Sequence, residues 1–400
     1  MSNDFDQLME KAGERHAAGD LAGAAEIYAG LLAREPGNEI VRFFNALAVF
    51  DLGQRTEAID TLYDLVQRLP DIPKIRMDLG QMLEREGRYG EAADVFAAAA
   101  AQVPGDPAPH IMLGHMLSQT GDNAQAIAAY RKGLSIQPAI PEARTALARA
   151  LMLEGLWAEA DVECDRVLAA QPGHTGVMAM KSILYYETGR PDDARAIMNF
   201  DDRLMLRSIV DHCGAEGLAD FNAALSEAIT THPTIAYEPK DYSTRKGYHT
   251  GDLTDATSGP IFEYLTWLRG EIDKVIAACR ASRSDPFECR APESYTLNVW
   301  GVVMENQGHQ AAHIHRDAWL SGVYYPKVPA DVRADDPDHA GWIEFGTPYE
   351  YPKRKTVSDI KLIMPEVGRA IFFPSYFYHR TIPLNATETR ISTAFDVIPA

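Results

Sequence analysis

Three residues able to bind a metal alternate in one short stretch: His313, His315 and Asp317. On an extended backbone such alternate side chains point the same way, roughly 6.5–7 Å apart. A fourth, His379, follows the segment IFFPSYFYH. A fold that carries this late turn beside the early strand closes a site around one ion. Two imidazoles and a carboxylate on one face, with three positions open, form the set that holds non-haem Fe(II) for oxygen chemistry. His315 and Asp317 supply one half of that set and His379 the other. Beyond them stand Arg390 and, on the same face of an extended segment, Ser392. A guanidinium there pairs with a carboxylate through two parallel hydrogen bonds. In the absence of a metal, the same histidines are simply hydrogen-bonded sheet residues.

The elements that must position these groups are strands. After residue 290 the apolar pattern has period two: 294–304, 319–328, 341–346, 369–375 and 390–398 all read as strands, separated by turns rich in Gly, Pro, Asp and Asn. This predicts an antiparallel double-sheet jelly roll. Asn298 and Trp300 share a face of the first strand, where Asn298 offers a polar contact and Trp300 a wall. Of Tyr324 and Tyr325, period two lets only one point inward. The loop 329–340 is long and acidic, either a lid over the site or a mobile insertion, with His339 in solvent. Upstream, 217–233 and 260–282 have helical apolar spacing and suit the role of buttresses on a sheet. The polar stretch between them reads as loops with at most an edge strand. Its Arg245, Lys246 and His249 are either surface or the border of the site.

The first half is periodic in a different way. Gly recurs at 19, 53, 87, 121, 155 and 189, Ala at 24, 58, 92, 126, 160 and 194, and Pro at 36, 70, 104, 138 and 172, all spaced by 34 residues. Each of the three has a physical reason to recur. Gly allows the turn between two helices, Ala lets those helices approach, and Pro stops the second helix. Period and residues resemble the tetratricopeptide repeat, with six units over 5–38, 39–72, 73–106, 107–140, 141–174 and a truncated 175–202. The resemblance implies a superhelix whose concave face binds a peptide or partner protein, or serves as a spacer or self-association arm.

A second resemblance covers roughly 235–400. The stretches HIHRDAWLSGVYYPKVP, GRAIFFPSYFYHRTIP and TRISTAFDVI, with STRKGYHTGDL upstream, resemble a family of 2-oxoglutarate- and Fe(II)-dependent oxygenases. Where that family favours Pro after the second His, this chain has Arg316. The resemblance implies His313, His315 and His379 as the metal ligands, whereas generic oxygenase logic selects His315, Asp317 and His379. It further implies 2-oxoglutarate as cosubstrate, with Arg390 and Ser392 holding its far carboxylate and Tyr324 or Tyr325 and Asn298 adding polar contacts.

Composition limits the rest. The net charge of −19 makes nucleic acid a poor partner. No apolar run is long enough to span a bilayer. The N-terminal stretch lacks a secretory pattern, and Cys164, Cys213, Cys279 and Cys289 are scattered, which together fit free thiols in the cytoplasm. The expected architecture is a multidomain α and β chain: an all-α repeat superhelix (1–202), a helical linker (203–235), and a double-stranded β-helix, or jelly roll, with flanking helices (236–400). The expected activity is hydroxylation of a protein or peptide brought by the repeats. Two alternatives are an interaction scaffold with a silent jelly roll and a cupin-type metal enzyme that uses no 2-oxoglutarate; Arg390 and Ser392 count against the latter.

Overall fold

The computed structural model describes residues 2–240, 243–348 and 351–400. Two compact units divide the chain, Met1–Glu154 and Gly155–Ala400.

Among the described residues the first unit is built of helices alone: Ser2–Ala17, Leu21–Arg34, Glu39–Asp51, Arg55–Arg68, Pro73–Arg85, Tyr89–Gln102, Pro107–Gln119, Asn123–Ile136 and Pro141–Leu153. The periodic residues sit where their chemistry requires. Gly19, Gly53, Gly87 and Gly121 take φ of 81°, 96°, 71° and 84° in the inter-helix turns, a region costly for residues with a Cβ. Ala24, Ala58, Ala92 and Ala126 are fully buried in the second helices of the pairs. Close packing also explains unperiodic details. A Cβ on Gly80 would lie 2.5 Å from the Phe96 ring, and one on Gly114 would lie 2.7 Å from the Tyr130 ring. Small residues on one helix thus make room for aromatic rings on the next.

The second unit opens with three helices of the same type, Trp157–Ala170, Thr175–Glu187 and Pro191–Met198. They pack directly on the sheet region. Thr175 Oγ1 donates to the Ala318 carbonyl at 3.1 Å, and the Tyr376 hydroxyl to the Ile197 carbonyl at 2.9 Å. Glu187 accepts from the backbone N–H groups of Lys355 and Thr356. These bonds tie the last repeat helices to the loops that bear the candidate site.

Among the described residues ten strands follow: β1 (Met205–Ser208), β2 (Ala236–Tyr237), β3 (Thr244–His249), β4 (Tyr295–Gln310), β5 (Leu320–Lys327), β6 (Ile343–Phe345), β7 (Lys361–Ile363), β8 (Arg369–Pro374), β9 (His379–Thr381) and β10 (Arg390–Pro399). The larger sheet has the order β1-β8-β5-β10-β4-β3-β2 and the smaller the order β7-β6-β9, all pairs antiparallel. The chain crosses between sheets after β5, β7, β8 and β9, which is jelly-roll connectivity. The helices Leu218–Thr230 and Gly259–Ser282 cover the outer face of the large sheet, where Tyr324 packs 5.3 Å from Tyr264 and 5.8 Å from Trp267. Among the described residues no helix is long and apolar enough to cross a membrane.

Candidate metal centre

His379 opens β9, whose partner β6 sets Phe345 opposite it. On its other side the segment around His313 acts as a further short strand. The His313 N–H donates to the His379 carbonyl at 3.0 Å, and the His379 N–H returns a bond to His313 at 3.1 Å. Two residues on, the His315 N–H donates to the Ser375 carbonyl at 3.1 Å. Backbone bonds thus place three imidazoles together, and one ring nitrogen from each lies within 4.8 Å of the others.

Hydrogen bonds on the far side of each ring decide what those nitrogens present. His313 Nδ1 lies 2.7 Å from the Ala311 carbonyl, and His379 Nδ1 lies 3.0 Å from the Phe377 carbonyl. His315 Nδ1 lies 2.8 Å from Asp396 Oδ2. Carbonyl and carboxylate oxygens only accept, so each Nδ1 must carry the proton and each neutral ring keeps a bare lone pair on Nε2. Burial, reinforced by the neighbouring imidazoles, pushes the His313 pKa down to about 4 and that of His379 well below the usual imidazole range. These two rings are therefore neutral at pH 7. His315 Nε2 and His379 Nε2 face each other at 3.3 Å. Lone pairs so directed repel unless a cation lies among them. A donor set of imidazole nitrogens suits a divalent transition metal, and the residues present fit one.

Asp317 does not join the group. The extended segment ends at His315; Arg316 and Asp317 form an exposed turn, so the alternation that aligns 313 with 315 stops short of 317.

The large sheet supplies the second half of the site. Arg390, Ser392, Ala394 and Asp396 alternate along the inner face of β10, opposite Met304, Val302, Trp300 and Asn298 of β4. Arg390 is only 2% exposed. Its guanidinium donates to the Gly341 carbonyl at 2.6 Å, to Thr381 Oγ1 at 3.3 Å and to Met304 Sδ at 2.9 Å, while its buried Nε has no partner. No carboxylate pairs with it among the described residues. Burial alone lowers its pKa. An uncompensated buried cation is costly, and an anionic ligand's carboxylate would relieve it. Thr381, which touches Arg390, lies two residues from His379 on β9, so guanidinium and imidazoles approach the same face of one strand.

Ser392, Tyr325 and Thr381 line the enclosed space between them, with the three histidines at one end and Arg390 at the other. The free volume there is about 20 Å³, so a ligand enters only by displacing side chains. Tyr325 faces inward, its ring 5.6 Å from Arg390 Cζ, and burial raises its pKa to about 12. Tyr324 points to the outer face and donates to Asn222.

Asn298 and Trp300 border a second, larger cavity of about 600 Å³ that is open to solvent beside His313 and His315. Arg245, His249 and Asp252 also line it. The polar stretch before the long helix therefore reaches the site as strand β3; Lys246 stays exposed outside that lining. Trp300 lies between His249 and His315, with centroids 5.8 and 5.9 Å away. The loop 329–340 instead closes the Arg390 end. Val332 packs with Val302, Met304 and Leu384, and Asp331 accepts from Thr387. His339 is half-buried rather than in solvent, its ring 4.6 Å from Trp342. Residue types and spacing alone do not single out Asp396, Ser321 or Ser375, although an Asp in the otherwise apolar run AFDVI, on the Arg390 face, is a visible signal.

A family model described as "Putative 2OG-Fe(II) oxygenase" matches residues 298–396, and tetratricopeptide repeat models match 45–107 and 83–150. No curated protein matches the chain. Among solved structures, MamA is 23% identical, covering 43% of this chain and 94% of its own, with a TM-score of 0.40. A tetratricopeptide repeat protein from Parabacteroides merdae ATCC 43184 is 17% identical (49% and 78% covered, TM-score 0.42). YrrB, described as a TPR protein with an unusual peptide-binding site, is 18% identical (44% and 92% covered, TM-score 0.40).

Proposed function

We propose that this chain, which joins tetratricopeptide repeats to a C-terminal domain of the 2OG-Fe(II) oxygenase type, hydroxylates a protein or peptide substrate recruited by its repeats. The convergence of three bare imidazole nitrogens within 4.8 Å carries this reading. His313, His315 and His379 would hold Fe(II), and Arg390 with Ser392 would hold the far carboxylate of 2-oxoglutarate. When bound, ferrous iron and 2-oxoglutarate supply dioxygen activation and two-electron oxidation of a C–H bond, with succinate and CO2 as co-products.

The chain's own residues do the remaining work. Arg390 neutralises the cosubstrate's distal charge and fixes its depth. Tyr325 and Thr381, both beside the Arg390 guanidinium, would offer hydroxyls to that carboxylate, and Phe345 and Phe373, at 6.0 and 4.7 Å from the His379 ring, keep water from the inner side. The open cavity of about 600 Å³ accepts the substrate; this volume accommodates an amino-acid side chain with adjoining backbone. The direct attachment of the last repeat helices to the loop after His315 supports a role for the repeats in delivering that substrate. We read residues 1–202 as the repeat array and 236–400 as the oxygenase, working in the cytoplasm, with 203–235 a connecting segment that also lends the large sheet its edge strand β1 and the helix Leu218–Thr230.

The test is succinate formation from 2-oxoglutarate with added Fe(II), in the wild type and in His379→Ala. The proposal expects turnover in the first and none in the second. A wild type that neither binds nor decarboxylates 2-oxoglutarate leaves a repeat scaffold with a silent jelly roll.

A further inference from the structure

We propose that Asp396 is a positioning residue that fixes His315 as a ligand and supplies, through that ring, the negative charge that three neutral imidazoles lack. The inference rests on the metal-centre reading above and deepens it. The three rings are not equivalent. His313 and His379 are each backed by a neutral backbone carbonyl. Only His315 is backed by a carboxylate, with Nδ1 to Asp396 Oδ2 at 2.8 Å. Both side chains are largely enclosed, at 15% and 13% exposure, so solvent screens the pair only partly.

Asp396 is itself held. Its Oδ1 accepts from Ser321 Oγ at 2.6 Å, and Ser321 Oγ lies 2.7 Å from Ser375 Oγ. Ser375 in turn gives its carbonyl to the His315 N–H. The chain of bonds closes on itself: His315 side chain, Asp396, Ser321, Ser375, His315 backbone. It joins β10, β5, the turn after β8 and the ligand segment, so the ring's direction is set by both sheets. A carboxylate that takes the proton of Nδ1 makes Nε2 a stronger donor to a metal. The two-histidine, one-carboxylate facial set places its charge on the metal. Here the charge stands one ring away. That leaves the ion more positive than a direct carboxylate would, yet less so than three carbonyl-backed imidazoles.

The experiment titrates Co(II) into the metal-free full-length protein by calorimetry and records the cobalt d–d spectrum, for wild type and Asp396→Asn. Asparagine keeps the size and an acceptor oxygen, so the loss reports the charge. We expect affinity to fall about 10- to 100-fold, the spectrum to shift, and the melting temperature in chelator to stay within a few degrees. Equal Co(II) affinity in the two proteins overturns the inference while leaving the metal centre intact. A wild type that binds no Co(II) overturns both. A second measurement needs no variant: histidine ¹⁵N NMR of the metal-free and Zn(II)-bound wild type should show His315 protonated on Nδ1. Protonation on Nε2 in the zinc-bound form overturns the inference.

Discussion

Replacing Arg390 by Met separates two roles that a buried arginine can have. The guanidinium is 2% exposed, meets no carboxylate among the described residues and leaves Nε without a partner. Removing it orphans one carbonyl and one hydroxyl, at about 1–3 kcal/mol each. It also removes a buried, uncompensated charge whose desolvation costs several kcal/mol. The two effects nearly cancel, so the melting temperature of the metal-free protein should change by only a few degrees in either direction. Cosubstrate binding should respond very differently. Truncating one partner of a buried, hydrogen-bonded charge pair costs about 2–5 kcal/mol, or roughly 30- to 5,000-fold in affinity. Thermal shift reads both effects together. At 100 times its dissociation constant, 2-oxoglutarate stabilises the metal-loaded wild type by about 2.7 kcal/mol. For a unit of this size that raises the melting temperature by about 5–10 °C. Arg390→Met should show no such rise at the same concentration. Wild-type binding by the variant, or a collapse of its ligand-free melting temperature by more than about 10 °C, refutes the reasoning.

Asp317→Ala should leave Co(II) affinity and 2-oxoglutarate turnover within about twofold of wild type, because the turn holds that carboxylate in solvent; a loss comparable to that of His315→Ala contradicts the geometry. Gly114→Ala forces a Cβ against the buried Tyr130 ring at 2.7 Å and should cost about 1–3 kcal/mol in denaturant melts of the chain; an unchanged midpoint refutes the packing argument. The nearby Ser282 hydroxyl, the N–H and hydroxyl that Ser284 donates and the Arg203 guanidinium lower the Glu288 pKa from the ordinary 4.5 to about 2. Its folded form holds a proton less tightly than its unfolded form, so its contribution is full above about pH 4.5 and fades as pH drops toward 2. Glu288→Gln should therefore cost about 1–2 kcal/mol at pH 7 and progressively less below pH 4; a gap that widens in acid has the wrong sign.

Much of the architecture is legible in residue types and spacing. The 34-residue phase of Gly, Ala and Pro marks every helix pair, since each of those residues constrains the backbone locally. Long strands such as β5 and β10 declare themselves because alternation runs over enough residues to be read. Short ones do not. The three-residue strands β7 and β9 carry no usable period, and β9 is the strand that presents His379. The second half of β4, Glu305–Gln310, is polar, so the apolar pattern stops at Met304 while the strand goes on. It pairs with β3 near the sheet edge, where a polar run is tolerated. The fate of Asp317 is also hidden. Nothing in Arg316–Asp317 demands a turn, and only the crossover from one sheet to the other creates it. Choosing between the two tyrosines needs the register of β5, which alternation narrows to one of two but does not fix.

The most direct test of the account is anomalous diffraction from a crystal soaked with Mn(II) and 2-oxoglutarate. One peak should appear, within bonding distance of a ring nitrogen from each of His313, His315 and His379, with a carboxylate of the ligand on Arg390. A peak held by the carboxylate of Asp317, or no peak among the three rings, contradicts it.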